Sequence, residues 1–233
     1  MSNKRGFLPE DETGFMPSAI DMLQTASRHI RYLINEGYDF MKTTTFVGNR
    51  FMLTERQRYA IMRSIATDEQ LKRRKAKERD DISGSEVWVD GFNTIITLEV
   101  MLSGSPVFEG MDGNIRDLAG LHGTYRIIPE TEAAVRMLFD VLSKMKAGTL
   151  RFLLDEPISN SGKLKVLIAE IAESCGISPD ITLLKGVDKA LWDKENVVSS
   201  DAIVLDHCIS WVNVLRRCVG MTGAKTVRVW REE

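Results

Sequence analysis

Three short apolar runs in this 233-residue sequence lead into an aspartate. Val87-Trp88-Val89 runs into Asp90, Leu150-Arg151-Phe152-Leu153-Leu154 into Asp155, and Val197-Val198-Ser199-Ser200 into Asp201. Asp188 follows a fourth run, Ile181-Thr182-Leu183-Leu184, and Asp206 lies just beyond Asp201. A single strand-end aspartate is ordinarily a cap or turn residue, because its carboxylate accepts from the free N–H groups at a helix start. Several gathered together are costly: two carboxylates about 5 Å apart repel by roughly 3 kcal/mol at an effective dielectric near 20. A hard divalent cation removes that repulsion. Oxygen donors with no nearby His or Cys select Mg²⁺ or Mn²⁺ over zinc, and the chemistry such a site serves is metal-assisted reaction at phosphate.

The elements that must position these acids are legible from periodicity. From residue 85 onward, short apolar runs alternate with amphipathic segments, among them Glu130 to Lys146 and Gly162 to Cys175. Strand alternating with helix predicts right-handed βαβ units and a mostly parallel sheet covered on both faces, a three-layer α/β/α domain over residues 85–233. In such a sheet the ligand site lies beyond the carboxyl ends of the strands, where the strand order reverses, and those ends are where the aspartates fall. Tyr125 to Ile128 and Thr226 to Trp230 are further candidate strands. Residues 1–82 read instead as a small all-helical domain. One amphipathic helix ends near Gly37, and a second runs from about Glu55, opened by the capping box Thr54-Glu55-Arg56-Gln57, to about Lys77. The polar break Asp80-Asp81-Ile82-Ser83-Gly84-Ser85 separates the two.

In order along the chain, these strand ends resemble PIN-like nucleases, particularly their NYN branch. Val87-Trp88-Val89-Asp90-Gly91-Phe92-Asn93 is similar to the opening strand and D-G-x-N turn, and Phe152-Leu153-Leu154-Asp155 to the second strand. Gly186-Val187-Asp188-Lys189-Ala190-Leu191 is similar to the G-x-A-D-x-x-I helix start, and Val197-Val198-Ser199-Ser200-Asp201 to the V-V-T-S-D strand end. The whole chain resembles a poorly characterised prokaryotic family with a domain of unknown function ahead of a PIN-like one. The resemblance implies a metal-dependent ribonuclease. Asp90, Asp155 and Asp201, assisted by Asp188 or Asp206, would hold Mg²⁺ or Mn²⁺, which acidifies water and stabilises charge on the phosphate. Asn93 would orient a ligand carboxylate or the attacking water. Ser159, Asn160, Ser161 and Lys163, at the start of the next helix, either donate to phosphate or only cap it. The basic helix, including Arg73 and Arg74, either tracks an RNA backbone or is a solvated face. Lys189 stands where the family often has a second acid, and Asp112, Asp117 and Gly120-Leu121-His122-Gly123 match no motif.

The composition narrows the alternatives. Hydrophobic residues at 43% and charged residues at 27% mark a globular chain. No apolar stretch approaches the roughly 20 residues of a membrane span, and Gly6-Phe7-Leu8-Pro9-Glu10-Asp11-Glu12 interrupts any signal-peptide core, so a cytoplasmic location is expected. A formal net charge of −2 argues against a wholly basic surface. Cys175, Cys208 and Cys218 have neither disulfide nor zinc spacing and read as small buried hydrophobes. Ser161-Gly162-Lys163 lacks the leading glycine and following hydroxyl of a phosphate-binding loop. His207 beside Asp206 either touches the acidic site or is a helix-start histidine. The competing reading is a non-catalytic RNA- or protein-binding module on the same scaffold. A homo-oligomer is compatible with either.

Overall fold

The computed structural model describes residues 4–120 and 123–232, so His122 lies outside the described residues. The front of the chain is helical: α1 (Asp11–Gly14), α2 (Pro17–Asn35), α3 (Phe40–Arg50), α4 (Glu55–Ser64) and α5 (Asp68–Lys77). Leu23, Ala26, Ile30 and Ile34 recur at the three- and four-residue spacing of one helix face, and α2 buries that face. Gly37, at φ +85°, takes the left-handed conformation that lets the chain turn away after α2. The single helix expected from Glu55 to Lys77 is two. Thr67 accepts from Gln70 N and Gln70 returns to Thr67 N, a second capping box that starts α5, while Ile65 is extended. The T-x-x-Q pattern at 67–70 is thus a start signal inside what reads as one helical stretch.

The remainder alternates strand and helix: β1 (Val87–Asp90), α6 (Gly91–Leu102), β2 (Val107–Glu109), β3 (Ile115–Arg116), α7 (Pro129–Lys144), β4 (Leu150–Asp155), α8 (Ser161–Ser174), β5 (Asp180–Leu184), α9 (Val187–Leu191), β6 (Val197–Val198), α10 (Ala202–His207), α11 (Val214–Thr222) and β7 (Thr226–Val227). The main sheet has the order β5-β4-β1-β6, all parallel, with Val89 opposite both Phe152 and Val198. Alternate residues sort to opposite faces. Val87, Val89, Phe152, Leu154 and Val198 pack with the apolar residues of α6, α7, α8 and α11, whereas Leu153 and Val197 pack with Val187, Leu191, Val204, Leu205 and Trp211. Both faces are therefore covered.

Two expected strands change. Tyr125 to Ile128 is not a strand; Ile127 is exposed, and side chains of Ser159 and Asn160, not a neighbouring strand, hold the Tyr125 backbone. The run Thr226 to Trp230 shortens to β7, which pairs with β2 in a small second sheet of order β3-β2-β7. Of the cysteines, Cys208 and Cys218 are buried but Cys175 is exposed.

The core of the helical front is shared with later parts of the chain. Leu23, Ile30, Ala60 and Ile61 pack in one cluster with Phe108, Leu118, Val229 and Trp230 from the later part of the chain. A buried guanidinium joins the parts. Arg74 grips Asp206 with Nε and Nη2, both at 2.7 Å, and Asp112 through Nη1 at 2.8 Å; Arg116 supplies two more bonds to Asp112. Burial opposes ionisation of Asp112, yet the charges of Arg116 and Arg74 hold its carboxyl well below the usual range. Removing one partner of such a set strands the others, so Arg74→Ala should cost about 3–5 kcal/mol in urea unfolding. A loss below about 1 kcal/mol, the value typical of a surface pair, would contradict this reading.

Candidate acidic site

The strand order places the reversal at β1. The chain runs outward from β1 through β4 to β5, then returns to lay β6 on the other side of β1. A crevice beyond the carboxyl ends of β1 and β6 follows from that reversal, and Asp90 ends β1 while Ser199-Ser200-Asp201 follows β6. Gly91 is needed directly after Asp90: a Cβ there would stand 2.4 Å from Leu154 Cδ2 and 3.0 Å from Leu153 O. Glycine lets α6 start tight against β4.

Asp90 is fully buried. Its Oδ2 accepts from Asn93 Nδ2 at 2.8 Å and from Ser199 Oγ at 2.6 Å, and its Oδ1 caps α6 through Asn93 N at 3.4 Å. Asp155 Oδ1 accepts from Val187 N at the start of α9, at 3.4 Å. Asp201 Oδ1 accepts from Ile203 N at 2.7 Å, capping α10. Asp188, exposed on α9, caps nothing; Gly186 holds that position without a side-chain bond. Capping is thus real for three of the acids, and because α6, α9 and α10 all begin at this edge, capping also brings the acids within reach of one another's charge.

The electrostatics record that proximity. Burial pushes Asp90 up to about 7, against the hydrogen bonds from Ser199 and Asn93 and with the charges of Asp188 and Asp201 adding to the rise. Burial raises Asp188 too, followed by the charges of Asp201 and Asp155. Asp155 is raised by burial and opposed by the Val187 N–H. Among the described residues none of these four carboxylates forms an ion pair. Also among the described residues, no three His, Cys, Asp or Glu stand together as a ready metal-ligand set.

The other candidates lie elsewhere. Asp206 belongs near the end of α10 and is held by Arg74, which removes it from the acidic edge. Arg74 is itself 4% exposed and presents nothing to a polyanion, a correction to the RNA contact expected of it; Arg73 is exposed and pairs with Glu69 at 3.2 Å. Ser159 and Asn160 bond to the Tyr125 backbone and so fasten the segment before α7 onto the start of α8, while Ser161 Oγ donates to Glu156 O within its own loop. Lys163 is exposed on the first turn of α8. His207 stacks on Trp192 at 4.3 Å and bonds to Ile203 O; it neither starts a helix nor pairs with Asp206.

Ser199 and Ser200 had no assigned role in the sequence. Besides its bond to Asp90, Ser199 Oγ accepts from Asp201 N at 3.0 Å, and Ser200 Oγ donates to Asn93 O at 3.1 Å. The available signal was a pair of hydroxyls at the carboxyl end of a strand. One turn along α6, Thr97 Oγ1 donates to the buried Asp117 at 2.6 Å.

A carboxyl that holds its proton in the native state to about pH 7, but releases it near 3.9 when unfolded, makes stability fall as pH rises between those values. Below that window both states are protonated, and above it both are ionised. With chelator present, Asp90 should lower stability by up to about 4 kcal/mol from pH 4 to pH 8. Asp90→Asn should flatten that part of the profile in urea unfolding; parallel profiles for the two proteins would refute the assignment.

The family model described as "Domain of unknown function (DUF5616)" matches residues 79–217, and the one described as "Protein of unknown function (DUF434)" matches residues 22–77. The uncharacterized protein MJ0935 of Methanocaldococcus jannaschii is 30% identical over 185 residues, covering 78% of this chain and 88% of the relative. No solved structure matches. The match over residues 79–217 takes in every strand of the parallel sheet and all four edge carboxylates, and the chain belongs to the DUF5616 family.

Proposed function

We propose that this chain is a metal-dependent ribonuclease on a PIN-like scaffold. The observation that carries the reading is the set of four carboxylates, Asp90, Asp155, Asp188 and Asp201, at the strand-order reversal with no cationic side chain paired to any of them among the described residues. The donor set fits a hard divalent ion: it is all oxygen, and burial disfavours the charged forms of Asp90, Asp155 and Asp188, with neighbouring carboxylates adding to the effect at Asp90 and Asp188.

When bound, the ion supplies neutralisation of charge on the attacked phosphate and acidification of a water. The protein's own groups do the positioning. Asn93 Nδ2 and Ser199 Oγ fix the Asp90 carboxylate at the base, and the Asp201 backbone N–H donates to the same Ser199 hydroxyl, so two of the acids share one orienting group. Asp155 and Asp201 are half-buried and Asp188 is exposed, which grades the acids from base to mouth.

Mg²⁺ or Mn²⁺ should raise the thermal midpoint of the full chain, since a ligand at 100 times its Kd adds about 2.7 kcal/mol to native stability. Asp90→Asn should abolish both that rise and the cleavage of single-stranded RNA. Asn93→Ala should weaken metal affinity about 10- to 100-fold while leaving the ligands in place. A wild-type chain whose midpoint ignores both ions and which leaves RNA intact would end this reading in favour of a non-catalytic binding module.

A further inference from the structure

Part of the basic stretch expected to meet RNA is turned inward, although Lys72, Arg73, Lys75 and Arg79 are exposed. Arg56 holds Asp11 at 2.9 Å and the carbonyls of Gly6 and Leu118, Arg58 holds Leu53 O and Asn49, and Arg74 is buried. A surface that combines exposed cations with exposed rings lies on α2 and α3. There a groove of about 830 Å³ is lined by Arg28, His29 and Tyr32 from α2, Phe46 and Arg50 from α3, and Phe51 beyond it. Tyr32 is 65% exposed and Phe46 73% exposed. Among the described residues Arg28 and Arg50, both exposed, make no ion pair; Arg50 lies 5.9 Å from the centre of the Phe51 ring, and His29 meets that ring edge-on at 5.5 Å. Among the described residues no aspartate or glutamate lines the groove.

We propose that this groove binds an unpaired RNA strand, with bases stacking on Phe46 and Tyr32 and phosphates meeting Arg28 and Arg50. The inference rests on the ribonuclease reading for the kind of polymer and assigns that polymer its docking surface. Exposed ring faces flanked by unpaired guanidinium groups are the combination by which proteins hold single strands: each base offers a π-face, and each phosphate a negative charge. A second copy of the chain fits poorly, because a two-fold contact sets the same patch against itself and brings Arg28 and Arg50 against like charges. The exposed apolar side chains of the groove are aromatic, whereas Val47 is buried and Leu33 half-buried, which suits stacking better than the insertion of an apolar helix.

The test is fluorescence anisotropy with a labelled oligouridylate of about a dozen nucleotides, in chelator, using the full chain carrying Asp90→Asn so that nothing is cut. Adding Phe46→Ala should weaken binding about 5- to 150-fold, the range for losing one stacked base. Its melting midpoint should not move, because the side chain is mostly in solvent. Adding Arg28→Ala with Arg50→Ala should lower the slope of log K against log salt by about 0.7 for each phosphate contact removed. Unaltered affinity in Phe46→Ala, or no binding by the parent, overturns the proposal. So does sedimentation showing that Phe46→Ala dissolves a self-associated species while RNA affinity stays constant, or competition by an acidic peptide that the RNA does not match. The acid edge takes no part in this measurement and the groove takes none in the metal-dependent melting, so each reading can fail while the other stands.

Discussion

Asp90 is a carboxyl taken wholly out of water with no cation beside it, and the rest of the acidic edge is arranged around that fact. Three other buried acids of this chain are matched by guanidinium groups, while Asp117 is held by the Thr97 hydroxyl and the Ala119 N–H. Glu99 has Arg5 at 2.9 Å, Asp11 has Arg56 at 2.9 Å, and Asp112 has both Arg74 and Arg116. A buried carboxylate without a counter-charge costs several kcal/mol or takes up a proton, and the upward push on Asp90 is that second outcome. The chain therefore has buried guanidinium groups and commits them elsewhere. Hydrogen bonds from Asn93 and Ser199 fix the orientation of the Asp90 carboxyl at the base of the edge.

The same edge resolves the two readings of a strand-end aspartate. Capping and site formation are usually weighed as alternatives; here the first produces the second. Asp90 and Asp201 each cap the helix that follows their own strand, and Asp155 caps α9, which follows β5. Parallel strands all finish at one edge, so caps drawn from successive βα junctions must converge. The partial positive charge at the helix starts offsets part of the repulsion among them.

This convergence was legible because it depends on period and order alone. Short apolar runs, their terminal acids and the helices between them determine a parallel sheet and its acidic edge, and β1, β4, β5 and β6 fall where alternation puts them. What was illegible depends on tertiary partners. Arg74 reads as one more cation on a basic helix until Asp112 and Asp206, 38 and 132 residues further on, take hold of it. Tyr125 reads as the start of a strand, but its hydroxyl bonds to Glu99 and its backbone to Ser159 and Asn160, so the segment is fixed by side chains rather than by a ladder. The front segment looked independent because its helices are amphipathic; only the fold shows that Phe108 and Trp230 complete their core.

That shared core gives the helical half a bearing on the acidic edge. Asp201 is placed by α10, a helix of six residues, too short to hold itself in water. Its far end is clamped from the front of the chain. Arg74 takes both oxygens of Asp206, Lys77 Nζ donates to Asp206 O at 2.7 Å, and Trp211, just beyond, donates its indole N–H to Arg74 O at 2.7 Å. Trp211 also bridges to Glu78 on one side and to Val197 of β6 on the other. The line from α5 to α10 and β6 is thus continuous through buried hydrogen bonds, with Asp201 at its end. A helical segment that contributes no acid to the edge is still part of what aims one of them.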